Sequence, residues 1–248
     1  MIDHVTIRVS DGEASERFYE TVLGAIGHQR TGSTGEFGDG CPEFAQWGEF
    51  SIARGDEPTS GLHIGFGTRS RAEVDAFWER GLEAGYQGDG EPGLRPHYTS
   101  DYYGAFFLDP DGNSIEAMHH GGVSRKGNID HMWVRVADLA ACVAFYEAIS
   151  PYSGYPRLWD HPGRVHFGAM GSHFALVTDE RPLTKNLHLA FGTDSNDTVD
   201  AFHAAATAAG YTDNGGPGER LQYHAGYYAA FVLDPAGANV EVVNHNRR

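Results

Sequence analysis

The sequence predicts an α+β chain built as two tandem halves, each made of two similar strand–helix–strand modules. Three observations predict it: segments that recur at near-constant spacing, alternating strands that flank short helical patterns, and turn residues at matching places in both halves. Ile2-Asp3-His4-Val5 returns as Ile129-Asp130-His131-Met132. Leu62-His63-Ile64 returns as Leu187-His188-Leu189, and Leu108-Asp109-Pro110 as Leu233-Asp234-Pro235, at an offset of 125 (188 − 63). Tyr102-Tyr103-Gly104-Ala105-Phe106 returns as Tyr227-Tyr228-Ala229-Ala230-Phe231 at the same offset. The halves span 1–122 and 127–248, with modules at about 1–57, 58–122, 127–180 and 181–248. A Gly-rich polar linker over 121–127 joins them.

In chain order, a strand over 5–9 leads into a helix capped by Ser10 or Asp11, with Phe18 and Val22 on its apolar stripe. Short strands are expected over 44–47 and 50–53. A further strand begins at Leu62, followed by a helix over about 71–84 whose Val74, Phe77, Trp78 and Leu82 keep helical spacing until Gly85 stops it. Strands over 103–108 and 114–118 end the half, joined by the turn Asp109-Pro110-Asp111-Gly112-Asn113. The second half repeats this plan with 134–136, 167–176, 187–191, a helix over 199–209 and a strand over 240–243. Gly90-Glu91-Pro92-Gly93 and Gly216-Pro217-Gly218-Glu219 read as mobile loops.

Composition narrows the function. Hydrophobic residues at 40% and charged residues at 21% are globular values. A net charge of −16, spread along the chain, repels phosphate backbones and anionic lipid, so neither nucleic acid nor membrane is an expected partner. A small molecule is, with the chain a monomer or a homodimer. Two cysteines, Cys41 and Cys142, encode no disulfide framework and no thiolate metal site. Met1-Ile2-Asp3-His4 is already strand-like, without a basic-then-apolar leader, and a cytoplasmic location is expected.

The alternation of the strands carries the chemistry. In the first strand His4, Thr6 and Arg8 share one face, and Val5, Ile7 and Val9 the other. His63 opposes Leu62 and Ile64, and Glu116 opposes Ile115 and Ala117. Each half thus contributes a His, His, Glu set pointing away from the apolar face: His4, His63 and Glu116, then His131, His188 and Glu241. Two imidazoles and one carboxylate suit a divalent Fe, Mn, Ni, Co or Zn ion with sites left open for substrate.

This plan, with the run from Tyr102 through Leu108-Asp109-Pro110-Asp111-Gly112-Asn113 to Glu116, resembles the vicinal oxygen chelate superfamily over essentially the whole chain. The superfamily includes glyoxalase I, extradiol dioxygenases and the bleomycin and fosfomycin resistance proteins. The resemblance implies four βαβββ modules forming two tandem glyoxalase/extradiol dioxygenase-like domains with incomplete barrels, a metal at the floor of each cup. Whether a cup closes within one half, or by exchange of modules between halves or chains, is open at this level.

Further residues are candidates for the cup. Tyr98, Tyr103, Tyr223 and Tyr228, before and in the penultimate strands, are candidate substrate-binding groups. His97 and His173 are candidate catalytic groups; His173 lies where the resemblance to extradiol dioxygenases places an acid–base histidine. The tyrosine those enzymes carry late in the penultimate strand is here Phe231 or Val232. His120 and His245, four residues after each Glu, are candidates to support the metal ligands.

Three functions compete. A dioxygenase-type oxidoreductase needs three protein ligands and open positions, as here. A glyoxalase-type lyase or isomerase takes a fourth ligand from the strand before the second module. That strand offers Ser51, Ile52 and Ala53, or Ala175, Leu176 and Val177, and no carboxylate. A resistance protein sequesters a drug in the same cup and has no need of two ligand sets.

Overall fold

The computed structural model describes residues 2–33, 44–121, 128–169 and 171–246; Cys41 and positions 122–127 of the expected linker lie outside them. The first half runs β1 (Ile2–Val9), α1 (Gly12–Ala25), β2 (Gly32–Ser33), β3 (Phe44–Trp47), β4 (Phe50–Arg54), β5 (His63–Gly67), α2 (Arg71–Glu83), β6 (Gly88–Leu94), β7 (Tyr103–Leu108) and β8 (Ser114–His119). The second repeats it with β9 (Ile129–Arg135), α3 (Leu139–Ser153), β10 (Arg157–His161), β11 (Arg164–Ala169), β12 (Ser172–Val177), β13 (Leu187–Gly192), α4 (Asn196–Ala208), β14 (Thr212–Glu219), β15 (Tyr228–Leu233) and β16 (Asn239–Asn244). Each helix starts where a short polar side chain caps it: Asp11, Ser70, Asp138 and Ser195 accept from the backbone N–H three residues on.

The strand order decides which side chains meet. One eight-stranded sheet runs β14-β15-β16-β13-β1-β4-β3-β2, the other β10-β11-β12-β9-β5-β8-β7-β6. The first module therefore joins the fourth through the antiparallel pair β1–β13, and the second joins the third through β5–β9. Neither sheet closes on itself among the described residues, so each is an incomplete barrel drawn from both halves.

The apolar faces point inward between the sheets. Val5, Ile7, Ile64, Phe66, Leu189 and Phe191 are fully buried in one continuous core. Phe50 of one sheet meets Phe66 of the other edge-on at 5.4 Å. Two crossing segments bind the sheets to each other. Thr59 Oγ1 donates to the Asn186 carbonyl at 2.7 Å, and its counterpart Thr184 donates to the Gly61 carbonyl at 3.0 Å.

The expectation of two mobile loops is corrected. The Gly- and Pro-rich segments at 90–93 and 216–219 are not loops but lie within β6 and β14, paired with β7 and β15. Both are edge strands whose pairing shifts register at the glycines, and an edge tolerates the missing N–H of Pro92 and Pro217. The Asp-Pro turn is structural. Asp109 accepts from the N–H groups of Asp111 and Asn113 and from the buried Tyr19 hydroxyl at 2.7 Å, tying α1 to the second module. Asp234 and Tyr146 repeat the tie at 3.1 Å.

Candidate metal centres

Cross-strand neighbours in a sheet share a face, so the register lists what lines each cup. In the second sheet one row reads His166, Ala175, Trp133, His63, Ser114 across β11, β12, β9, β5 and β8. The next reads His173, His131, Gly65, Glu116, Phe106. In the first sheet the corresponding rows are Gln46, Ser51, Thr6, His188, Asn239 and then His4, Ala190, Glu241, Phe231.

Each cup therefore gathers a candidate ligand set from both halves: His4, His188 and Glu241 in the first, His63, Glu116 and His131 in the second. A set owned by one half does not form, because β1 pairs with β13 and β9 with β5, which leaves His4 and His63 in different sheets. In the first cup His4 Nε2 lies 3.0 Å from His188 Nε2 and 3.5 Å from Glu241 Oε2, and the last two are 3.0 Å apart. In the second, His63 Nε2 lies 3.1 Å from both His131 Nε2 and Glu116 Oε2, which are 3.3 Å from each other. Bonds of about 2.1 Å place neighbouring donors roughly 3.0 Å apart at octahedral angles and about 3.4 Å apart at tetrahedral ones. Both sets span that range, so the donors fit an ion of this size.

A surrounding layer aims the donors. Nδ1 of His4 donates to Asp3 at 2.8 Å and Nδ1 of His131 to Asp130 at 3.0 Å, which turns each Nε2 to the centre. His63 Nδ1 donates to Ser114 Oγ at 3.2 Å, which passes a bond on to Asp89. The Asn239 amide meets His188 Nδ1 at 2.8 Å. The other oxygen of each glutamate accepts a buried tyrosine hydroxyl, Tyr102 on Glu116 at 2.8 Å and Tyr227 on Glu241 at 2.6 Å. His245 reaches Asp3 at 3.0 Å and His120 reaches Asp130 at 3.6 Å, so both stand behind the ligand histidines.

Sequence reasoning missed Tyr102 and Tyr227 and chose their neighbours. Tyr103 and Tyr228 turn to the helix side, donating to Asp75 and Asp200. Alternation held the signal: Phe106 and Gly104 face the cup, so Tyr102 shares their parity and Tyr103 does not. Tyr98 and Tyr223 pack on Tyr102 and Tyr227 at 4.9 and 4.8 Å, on the cup rim. His97 is exposed and lies against Tyr98. His173 belongs to the cup of His131, on which it stacks at 5.6 Å, and not to that of His188.

The cups differ around their shared donors. The His63 and His131 side chains are 8% and 7% exposed, against 18% and 20% for His4 and His188. A cavity of about 230 Å³ opens beside His63, walled by Trp133, Tyr98 and Phe106 with Arg135 and Arg181. The guanidinium of Arg164 lies 4.6 Å over the Trp133 ring.

Burial disfavours charge on His4 and His131, yet bonds to Asp3 and Glu241, and to Asp130 and Glu116, outweigh it and raise each to about 9. Burial likewise opposes ionised Glu116 and Glu241, and the histidine bonds overcome it, to about 2. Desolvation lowers His63, and with Arg164 nearby takes His166 to about 4. A metal entering either set would have to displace the proton that the raised histidine holds.

The signs give a stability profile for metal-free protein. The raised histidines add stability that is complete below about pH 6.5 and lost as pH climbs through 9. The lowered His63 and His166 act oppositely, their contribution present above about pH 6.5 and lost on acidification. The glutamates' contribution holds above about pH 4.5 and is lost as pH falls through 2. After dialysis against chelator, Tm is expected to peak near pH 6.5 and fall toward pH 9, by roughly 2–4 °C per kcal/mol lost. A profile rising from pH 6.5 to 9 contradicts the charge assignment.

Solved structures of other proteins share this fold. Glyoxalase I from Zea mays superposes with a TM-score of 0.69 at 19% identity, covering 98% of this chain and 92% of that one. A candidate dioxygenase from Bacillus subtilis superposes at 0.66 and 14% identity, covering 99% and 85%. Likeness at such identity shows the fold alone. No curated protein matches the chain. No helix among the described residues is long and apolar enough to cross a membrane. The sequence model of the glyoxalase/bleomycin resistance protein/dioxygenase superfamily matches residues 1–117 and again 128–242, and the chain belongs to that superfamily.

Proposed function

We propose that the chain is a metal-dependent enzyme that binds a small substrate through two adjacent oxygens, with a dioxygenase-type reaction in the second cup. The observation that carries this is the ligand count. In both cups three donors converge, while the strand that would supply a fourth presents Ser51, bonded to Thr6 at 2.7 Å, in the first cup and Ala175 and His173 in the second, none of which joins the converging set. A glyoxalase-type isomerase, the second reading, lacks that fourth ligand. Sequestration without turnover, the third, does not account for the carboxylate, serine, asparagine and tyrosine partners that hold every donor.

When bound, the metal supplies a Lewis acid with open positions for a catecholate-like substrate and dioxygen. Asp130 and Ser114 hold the imidazoles of His131 and His63 with Nε2 inward, and Tyr102 leaves one Glu116 oxygen free to ligate. Trp133 and Phe106 exclude water and offer flat walls. His173, stacked on His131, stands where a proton can be taken from a chelating hydroxyl.

The test is elemental analysis of protein purified without chelator, then oxygen uptake by the iron-loaded chain over a panel of catechols. Iron near two equivalents and uptake with ring-opened product support the reading. Nickel or zinc, with isomerisation of an α-oxoaldehyde adduct, favours the glyoxalase alternative. A chain that holds no divalent metal under any loading condition is a sequestering protein instead.

A further inference from the structure

His166 is a buried polar side chain on the second cup's sheet that neither the candidate ligand set nor the hydrogen-bond network uses. It is 6% exposed, and neither ring nitrogen has a hydrogen-bond partner among the described residues. A desolvated imidazole of this kind carries a cost that no bond offsets. Its register row, through Ala175 to Trp133 and His63, points it into the cup. The first cup has Gln46 there, whose amide is already used on the Gly48 carbonyl.

We propose that His166 anchors a distal subsite of the second cup, hydrogen-bonding an oxygen substituent of the substrate remote from its two chelating oxygens. This rests on reading the second cup as a chelating metal site. From His131 the ring centroids step 5.6 Å to His173 and 5.4 Å on to His166. That reach suits one aromatic ring with a short polar arm. Trp159, the register partner of His166 on the exposed edge strand β10, stacks on it at 4.9 Å and ends the row on the same sheet face. The imidazole is neutral at pH 7, since burial and Arg164 hold it near 4, so it presents one donor and one acceptor to a hydroxyl or carboxylate. The substrate class is a vicinal diol on a single ring, carrying an oxygen-bearing arm away from the diol.

The test uses the full chain in a Glu241→Ala background, which leaves one metal set, loaded with cobalt(II) and titrated with catechol and with 3,4-dihydroxyphenylacetate. Binding is read from the cobalt absorption bands. The acid is expected to bind about tenfold tighter than catechol, the worth of one hydrogen bond in a dry site. His166→Phe is expected to bring the two ligands to equal affinity with cobalt affinity unchanged. His166→Gln, the side chain the fold accepts at the matching place in the first cup, is expected to restore part of the difference. Equal affinities in the parent, or a difference that survives His166→Phe, overturn the subsite alone. Cobalt held firmly with neither ligand bound overturns the chelating reading, and the subsite with it. Failure to hold cobalt overturns the metal site itself.

Discussion

Replacing Glu116 by alanine is expected to remove one of two metal equivalents and to reduce turnover to background, while Glu241→Ala removes the other equivalent and leaves turnover in place. The asymmetry follows from the walls, since the aromatic cavity and His173 lie with Glu116. Glu116 is 1% exposed and is the acceptor facing both His63 and His131. Its loss leaves the buried His131 imidazolium with Asp130 alone, a cost below the roughly 3–5 kcal/mol of a wholly unpaired buried charge in the metal-free form. Elemental analysis, oxygen uptake and a urea transition measure the three effects on one preparation. Equal loss of turnover in the two variants would show that both cups work.

Gly65→Ala is expected to open the second ligand set with little change to the fold. A Cβ at Gly65 would stand 2.3 Å from Cε1 and 2.7 Å from Nδ1 of His131, so the ring must move. Disturbing the orientation of a ligating imidazole costs about 10–100-fold in metal affinity. The first cup carries Ala190 at the matching place, opposite His4, and there the imidazole stands farther out, 18% exposed against 7%. Ala190→Gly is therefore expected to leave first-cup affinity near that of the parent. Competition against a chromophoric chelator measures both. Unchanged second-cup affinity in Gly65→Ala would mean that the ring relaxes without cost.

Alternation placed the six donors on one face of their strands, because a period of two is local and needs no knowledge of partners. It could not say which donors meet. Nothing within β1 marks β13 rather than β5 as its neighbour, and that choice alone separates His4 from His63. Gly90 to Gly93 read as a loop because turn residues and edge-strand residues are the same residues. His166 was passed over for a related reason. Its meaning lies in the row it shares with Trp133 and His63, two and three strands away.

Because each cup borrows strands from both halves, a chain of half this length, paired with a second copy through the same strand contacts, would hold two identical cups. Whatever changed one would change the other. Joining the halves in one chain lifts that compulsion without breaking either sheet. Gly65 can then differ from Ala190, Trp133 from Thr6 and His166 from Gln46, and one cup can keep a plain ligand set while its twin is fitted to a particular guest. The repeat is thus a record of sameness that the covalent join made optional.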